Sequence, residues 1–386
     1  MDIKRRLRRV IEAYLALKLQ EQLHRYQFPR AFRPMQHALQ RWQRCDTKKP
    51  AARIRREMSL CRKFWGCQPL HYYRYDLFRA DRDLSDAELL NYVPEFYFYR
   101  LYLPYYDTRQ YAMLLDDKIV TEQLFRGVGI RQPRTVCTVV HNRICDRGLT
   151  SISYERVLGE LTETACPTIF VKPADGRGGH GIYVFHQSDG REYRSDSNDV
   201  FSEEFLNRIG AQNNYIVQAG VEQAPELALV YPTSVNTFRI ATENKSGRVR
   251  VLCAVQRIGR GGKQVDNFCQ GGLALGIDVA TGRTASYLIS ELCERCEKHP
   301  DSNFVFHDYQ IPRWEEIKAF AVELAQKLPY FTYLGLDIAL ARDGPLAIEA
   351  NLGFGLDCYQ IPLGGLREVL QITDPAHYWH HRGVRV

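Results

Sequence analysis

One stretch of the sequence concentrates the residue types that bind phosphate. Lys172 ends a β-type run, and a second β-type run follows a loop that contains Gly176, Gly178, Gly179 and Gly181. Because glycines add little bulk, main-chain N–H groups can approach an anion closely, and the lysine adds a compact positive charge. The pattern predicts a phosphate-binding loop. The alternative is an ordinary glycine-rich turn beside a lysine that extends to solvent.

Two common nucleotide motifs do not describe this loop. No Gly-Lys-Ser/Thr follows the glycines, so it is not a Walker loop. No helical pattern opens after it, so it is not the dinucleotide-binding fingerprint.

A second group of residues has the types that bind a divalent metal. Asp337 interrupts an alternating apolar run, and Glu349 and Asn351 occupy alternate positions of the next run. Two carboxylates and an amide oxygen suit Mg²⁺, with Mn²⁺ as the alternative, because Mg²⁺ takes few protein oxygens and keeps phosphate and water. A regular two-residue turn at Asp343-Gly344 would place the two acids on opposite faces. A shared face therefore requires an odd-length turn or a bulge. Otherwise the hairpin carries two unrelated exposed acids.

The elements that must position these residues are mostly strands. After residue 165 the β-type runs are TIFVK, YIVQAGV, NTFRIATE and RVRVLCAV. Over the whole chain, helical patterns fall at 111–126, 201–209 and 313–328, besides the one near the N-terminus described below. This mixture predicts an α/β (α+β) fold. We expect four regions: a basic helical region at 1–66, an intermediate segment at 67–150, a lobe with the glycine loop at 151–225, and a lobe with the metal hairpin at 226–386.

Positive charge is concentrated near the N-terminus. Residues 1–66 carry 18 Lys+Arg and 5 Asp+Glu, a balance of +13, whereas the whole chain carries +7. Residues 3–23 have the spacing of an amphipathic helix with a basic face. The plainer interpretation is a docked helix whose basic face is solvated. The other is peripheral contact of residues 1–24 with an anionic membrane surface. No nucleic-acid-binding module is recognisable, so we expect no nucleic-acid partner.

Composition and the N-terminal sequence predict a cytoplasmic protein, at most associated with the inner face of the membrane. No run of eighteen apolar residues is present, and the N-terminus is too charged for a signal peptide. The 11 cysteines are odd in number and scattered, as expected for free thiols in a reducing compartment.

The motifs together resemble the ATP-grasp superfamily, and most closely its sugar-transfer-associated group, over roughly residues 110–365. Besides the loop and the hairpin, the resemblance includes the strand YIVQAGV, the run SVNTFR at 234–239 and the stretch VDNFCQGG at 265–272. It implies two α+β lobes that clasp ATP. The helical basic N-terminal extension at 1–66 lies outside the resemblance. The chain is in this respect similar to glutamate-ligase-like carboxylate-amine ligases.

The resemblance also implies roles for particular residues. The residues it implies for ATP binding are Lys118, Lys172, Gly178, Gly179, Gly181, Gln218, Ala219, Val221 and Glu226, with Glu222 as the alternative ribose ligand. It implies Asp337, Glu349 and Asn351 as metal ligands. The residues it implies for catalysis are Arg239, Lys172 and Asn236.

The activity implied by the resemblance is that of a ligase. A carboxylate attacks the γ-phosphate of ATP to give an acyl phosphate, and an amine or thiol then displaces the phosphate. The sugar-transfer association implies that an amino acid or other amine is joined to a carboxylate on a surface-polysaccharide or glycolipid intermediate, such as a uronic acid. The alternatives are an ATP-grasp phosphotransferase (kinase) and a nucleotide-binding protein without turnover.

Overall fold

The computed structural model describes residues 29–107, 109–176, 178–188 and 192–380. The predicted helix at 3–23 and the predicted membrane contact through residues 1–24 lie outside these residues. The chain divides into two compact units. The described residues up to 105, with 291–294 and those from 364 onward, form the first unit, and 106–290 with 295–363 form the second. No helix in the described ranges is both long and apolar enough to cross a membrane.

The helices and strands follow one another in chain order. The helices are α1 Pro29–Arg44, α2 Ala51–Trp65, α3 His71–Arg74, α4 Asp86–Asn91, α5 Glu95–Tyr97, α6 Leu103–Tyr106, α7 Met113–Asp116, α8 Lys118–Gly127, α9 Tyr154–Glu163, α10 Glu203–Gly210, α11 Pro225–Ala228, α12 Trp314–Lys327, α13 Leu356–Leu363 and α14 Pro375–His380. The strands are β1 Thr135–Val140, β2 Arg143–Cys145, β3 Thr168–Pro173, β4 Tyr183–Gln187, β5 Tyr193–Ser195, β6 Tyr215–Ala219, β7 Phe238–Lys245, β8 Arg248–Ile258, β9 Leu273–Ile277, β10 Leu288–Ser290, β11 Arg295–Cys296, β12 Tyr333–Ala341 and β13 Gly344–Leu352. A π-helical turn at Phe98–Tyr102 joins α5 to α6.

The first unit is helical and has an aromatic core. Trp65, Tyr97 and Tyr102 are fully buried, and the rings of Trp65 and Tyr97 meet edge to face at 4.8 Å between centroids. His71 is 3% exposed, and neither of its ring nitrogens has a hydrogen-bond partner among the described residues. Burial lowers the pKa of the His71 imidazole to about 3. This histidine is therefore a neutral core residue.

The second unit contains two sheets, and all described strand pairs in them are antiparallel. The first sheet has six strands in the order β2-β1-β6-β3-β4-β5, and the second has seven in the order β11-β10-β9-β8-β7-β12-β13. The first sheet includes β1 and β2, which lie within the range 67–150. The helical pattern at 111–126 is present as two helices, α7 and α8, because Asp117 caps the second: its carboxylate accepts from the N–H groups of Ile119 and Val120.

The second sheet buries one face and turns polar side chains to the other. Ile240, Leu336 and Ala350 oppose one another across β7, β12 and β13, and they pack into the same core cluster as Leu324 of α12. Because side chains alternate along a strand, the neighbouring positions point the other way. This opposite face carries Arg239, Asp337 and Glu349, which also oppose one another in register.

A bulge places the two acids on one face. The turn between β12 and β13 has two residues, since Ala341 pairs with Gly344. Continued regularly, that register would pair Asp337 with Ile348. Ile338 instead pairs with Ala347 and Asp337 pairs with Glu349, so Ile348 is the extra residue of a bulge in β13. The bulge meets the condition that the sequence set for a shared face.

The first sheet is organised in the same way. Ile169 and Val171 of β3 are fully buried and pack with Leu161 of α9 and Leu206 of α10. The alternate residues Phe170 and Lys172 point to the opposite face, where Lys172 meets Gln218 of β6. In each sheet, the predicted site residues lie on the face opposite the one that packs against these helices, α9 and α10 for the first sheet and α12 for the second.

Candidate functional site

A cavity in the second unit brings residues from both sheets together. The first-sheet side and α8 contribute Lys118, Phe170, Lys172, Gly178, Gly179 and His180. The second-sheet side contributes Thr237, Arg257, Asp266, Asn267, Asp337 and Glu349. Cationic, main-chain and carboxylate groups therefore surround one space, as a phosphate with its metal requires.

Two lysines reach this cavity from different elements. Lys172 Nζ donates to Gln218 Oε1 at 3.0 Å. Burial, reinforced by the nearby charge of Lys118, lowers the pKa of Lys172 to about 8 even though Glu349 opposes the shift. Lys118 Nζ donates to Gly176 O and lies 3.7 Å from Glu349 Oε1. Both predicted lysines therefore lie in the cavity, and one of them contacts the predicted metal carboxylate.

The glycine loop adopts backbone conformations that favour glycine. Gly178, Gly179 and Gly181 have φ angles of +64°, +72° and +72°. Gly178 and Gly179 line the cavity, whereas Gly181 is not among its lining residues. A Cβ atom added at Gly179 would overlap Asn267 Nδ2. The loop thus needs glycine at this position for both its backbone shape and its close contact.

Ala219 and Val221, predicted to bind adenine, both line the cavity, together with apolar side chains such as Phe170 and Ile348. The N–H of Ala219 is already donated to Arg134 O at 2.8 Å. Gln218 does not line the cavity but holds Lys172. These lining residues give the cavity an apolar surface of the kind against which a purine ring packs.

Asp337 is held by two arginines. Arg239 Nη1 donates to Asp337 Oδ1 at 2.7 Å, and Arg257 Nη2 lies 3.1 Å from Asp337 Oδ2. Burial disfavours ionisation of this carboxyl, but the two guanidinium groups outweigh that effect and hold its pKa below the ordinary value. Asp337 is therefore an anion at neutral pH although it is only 3% exposed.

A second buried carboxylate, Asp266, extends this network; it lies in the stretch VDNFCQGG, to which the resemblance gave no role. Asp266 Oδ2 accepts from the N–H of Thr237 at 2.8 Å and from its hydroxyl, and Arg257 Nη2 lies 3.5 Å from Asp266 Oδ1. Arg257 also donates from Nε to Thr237 Oγ1 at 3.1 Å. Burial raises the pKa of Asp266 although Arg257 and Thr237 oppose it. From the sequence, Arg257 was assigned only to a loop, residues 257–262, that was expected to contribute to the acceptor pocket.

Several predicted residues do not line the cavity. Asn236 is fully buried and bonds to its own surroundings: its Nδ2 donates to Leu227 O and Tyr231 O, at 3.1 and 2.9 Å. Glu222 lies 2.8 Å from Arg342 in an exposed ion pair. Glu226 is exposed in α11.

The two remaining predicted residues are near the acid pair. Asn351 opposes Gly335 on β12, and its Nδ2 donates to Gly335 O at 3.5 Å. It shares the face of Glu349, two residues away along β13. Arg239 does not line the cavity and reaches it through its bond to Asp337.

The donor set fits a magnesium–nucleotide complex. Asp337 and Glu349 are cross-strand neighbours. Each oxygen of Asp337 contacts one arginine and keeps further lone pairs for a cation. Within the described ranges, no three His, Cys, Asp or Glu side chains form a metal cluster. Two carboxylates, an amide oxygen and phosphate oxygens suffice for Mg²⁺.

Comparison with known proteins identifies one matching family. The family model for sugar-transfer-associated ATP-grasp proteins matches residues 97–374, well over half of the chain. No curated protein matches the chain.

Several solved structures show a distant similarity to this chain. Biotin carboxylase from Campylobacter jejuni shares 10% identity at a TM-score of 0.40, over 71% of this chain and 47% of that one. The D-alanine–D-alanine ligase of Bacillus anthracis shares 12% identity at a TM-score of 0.37, over 69% and 65%. The phosphoribosylamine–glycine ligase of Thermotoga maritima shares 12% identity at a TM-score of 0.37, over 65% of this chain and 50% of that one. This chain spans about half the length of the first solved structures it matches. The family assignment rests on the family model.

Proposed function

The chain belongs to the sugar-transfer-associated ATP-grasp family, and from this premise we propose that it is an ATP- and Mg²⁺-dependent carboxylate–amine ligase. The observation that carries the proposal is the meeting of Lys118, Lys172 and the glycine loop with the Asp337–Glu349 pair around one cavity. The residues supply charge neutralisation and positioning, and this is what phosphoryl transfer demands of a protein.

The reaction has two steps. The acceptor carboxylate attacks the γ-phosphorus of ATP, which forms an acyl phosphate and releases ADP. The amine then attacks the acyl carbon, a C–N bond forms, and the C–O bond to phosphate breaks. No serine or cysteine nucleophile is needed, since the acceptor itself is the nucleophile of the first step.

The side chains divide the work. Lys118 and Lys172 offset the charge of the phosphates, and the N–H groups of the glycine loop approach them from the first sheet. Arg239 and Arg257 orient Asp337, which with Glu349 and Asn351 holds the metal. A bound Mg²⁺ supplies further neutralisation of phosphate charge. Asn236 fixes the segment before β7 through its buried hydrogen bonds.

The proposed substrate class is supported by the family description alone. A family associated with sugar transfer supports a carboxylate carried on a glycan or glycolipid intermediate, joined to an amino acid or another amine. The resemblance assigns the ribose of ATP to Glu226, with Glu222 as the alternative, but neither carboxylate lines the cavity.

The product nucleotide tests the reaction type. The protein is incubated with ATP, Mg²⁺, and a panel of amines and uronates, and products are followed by mass spectrometry. We expect ADP, phosphate and an amide. Release of AMP would exclude the acyl-phosphate route. A stable phosphorylated product formed without an amine would identify a phosphotransferase.

Glu349→Gln separates a ligase from a nucleotide-binding protein without turnover. The substitution removes the negative charge of one proposed metal ligand but keeps the shape of the side chain. A ligase should therefore lose at least about a hundredfold in turnover, by analogy with other charge-stabilising groups. Glu323→Gln, on the exposed side of α12, is the control and should keep the wild-type rate. Equal rates for both variants would contradict the assigned metal role.

Peripheral attachment is tested at the N-terminus. A chain that lacks residues 1–24 should bind phosphatidylserine vesicles less than the full chain, because the basic residues there would meet anionic lipid. If both chains co-sediment equally, residues 1–24 are not the attachment site.

A further inference from the structure

A segment of the second-sheet side reaches across to the glycine loop. Residues 263–270, here called the bridging segment, lie between β8 and β9. Gln270 Nε2 donates to Gly178 O. Asn267 Nδ2 packs so closely on Gly179 that a Cβ there would overlap it, and Gln270 Nε2 would be 3.1 Å from the same Cβ. The loop that meets phosphate is therefore held by residues from the opposite side of the cavity.

The bridging segment has a fixed base. Asp266 is 6% exposed and accepts from the N–H of Thr237 at 2.8 Å. The N–H groups of Gln270 and Gly272 both donate to Asn267 O at 3.0 Å. These hydrogen bonds connect the segment to itself and to Thr237, the residue before β7. They therefore restrain the backbone that carries Gln270 and Asn267.

A second link joins the same two sides. His186 Nε2 of β4 lies 3.0 Å from Gln264 Oε1, and Gln264 Nε2 donates to Asp196 Oδ2 at 2.9 Å. His186 Nδ1 in turn lies 3.1 Å from Thr168 Oγ1 of β3. The bridging segment thus contacts the first-sheet side at both of its ends.

We infer that Gln270 is a positioning residue for the nucleotide, with Asn267 beside it: together they set the peptide orientation of the glycine loop. In a trans peptide the C=O of one residue and the N–H of the next point in opposite directions. The bond from Gln270 turns Gly178 C=O toward the bridging segment, so the Gly179 N–H is directed away from it. Without this bond the glycine-rich backbone can rotate and present a carbonyl oxygen, which repels phosphate.

This inference rests on the proposed nucleotide site and makes a selective prediction. Gln270 does not line the cavity, so its effect passes through the loop. Ligands that carry β- and γ-phosphates should depend on Gln270, whereas AMP should not. A residue that only supported the fold would affect both ligands equally.

Gln270→Met tests the inference because it keeps the size of the side chain and removes the donor. The Kd of ATP with Mg²⁺, from calorimetry, should rise about tenfold, the equivalent of one hydrogen bond. The Kd of AMP, from NMR titration, should change less than about twofold, because AMP lacks the β- and γ-phosphates that depend on the loop held by Gln270. Gln212→Met, at an exposed position after α10, is the matched control and should leave both constants unchanged.

Hydrogen exchange of the nucleotide-free protein gives a second readout. Amides of residues 178–182 should exchange faster in Gln270→Met than in the wild type and in Gln212→Met. Unchanged exchange together with unchanged ATP affinity would overturn the inference, and so would an equal loss of ATP and AMP binding. If the wild-type chain binds no ATP, the proposed function fails. The hydrogen-exchange comparison then tests by itself whether Gln270 orders the glycine loop.

Discussion

Arg239 and Asp337 lie directly opposite each other on β7 and β12, and Arg239 Nη1 donates to Asp337 Oδ1 across 2.7 Å. Arg257 lies 3.1 Å from the other oxygen, Oδ2, of the same carboxylate. The predicted metal ligand is thus the shared partner of two largely buried cations, whose side chains are 15% and 10% exposed. Its charge serves the local structure as well as the proposed metal site, because it offsets both guanidinium charges, although Arg257 has a second carboxylate partner in Asp266.

Asp337→Ala should be strongly destabilising. It leaves two largely buried guanidinium groups without their common partner, and we expect a loss of about 3–5 kcal/mol in the free energy of unfolding. Urea denaturation measures it. Glu222→Ala is the control: its pair with Arg342 is about 70% exposed on both sides, and its removal should change stability by less than about 1 kcal/mol. Similar losses in the two variants would contradict the buried network.

Gly179→Ala should weaken nucleotide binding more than backbone strain alone explains. Gly179 and Gly262 share a φ of +72°, so alanine costs roughly 1–2 kcal/mol of backbone strain at either position. Only at Gly179 does the new Cβ meet a neighbour, Asn267, whereas Gly262 has no atom within 4 Å. We expect Gly262→Ala to retain wild-type ATP affinity by calorimetry and Gly179→Ala to lose it. Equal affinities would show that the close contact with Asn267 is dispensable.

Lys172 should give the protein a pH-dependent stability in alkaline solution. Its folded pKa of about 8 is below the unfolded value of 10.5. The unfolded chain therefore binds more protons between these values, and stability rises with pH across that window. Between pH 7 and 9.5, Lys172 should contribute a gain of about 1–2 kcal/mol that Lys172→Met lacks. Chemical denaturation of both proteins at the two pH values measures this. A constant difference between them would refute it.

His71 should make the first unit sensitive to acid. Its folded pKa is about 3 against 6.5 in the unfolded chain. Below pH 6.5 the unfolded state gains a proton that the buried ring does not accept, so stability is lost as the pH falls toward 3. The expected contribution is about 1.4 kcal/mol per pH unit within that window. His71→Leu should remove this slope, as measured by urea denaturation from pH 6.5 to 4. At pH 8, where the ring is neutral in both states, the two proteins should differ only by packing.

The local patterns of the sequence determined the components of the site. The density of glycines after Lys172 predicted the loop, and the alternation around Asp337 and Glu349 predicted two strands with acids on one of their faces. Such features depend on residues within one turn or one strand, where sequence spacing fixes the direction of side chains. The α+β class and the family could be predicted for the same reason.

From the sequence, the register that places Asp337 and Glu349 on one face could be stated only as a requirement. The structure shows that this requirement is met. A two-residue turn alone would have separated Asp337 from Glu349. The extra residue, Ile348, restores the pair. Whether a strand accommodates a bulge depends on how its neighbours and core pack, and local alternation does not contain that information.

Tertiary structure alone decided which partners meet around the glycine loop and the acids. Arg239 and Asp337 are 98 positions apart in the chain, and Gln270 and Gly178 are 92 apart. Asn236 was grouped with the catalytic residues by its motif, yet its side-chain hydrogen bonds are to nearby main chain and to Ser234. The sequence determined that Lys172, its glycines and the two acids were present and how each points from its strand. Their meeting, and the arginines and Gln270 that hold them, depend on long-range packing, because desolvated polar groups take whichever partners the folded chain brings within reach.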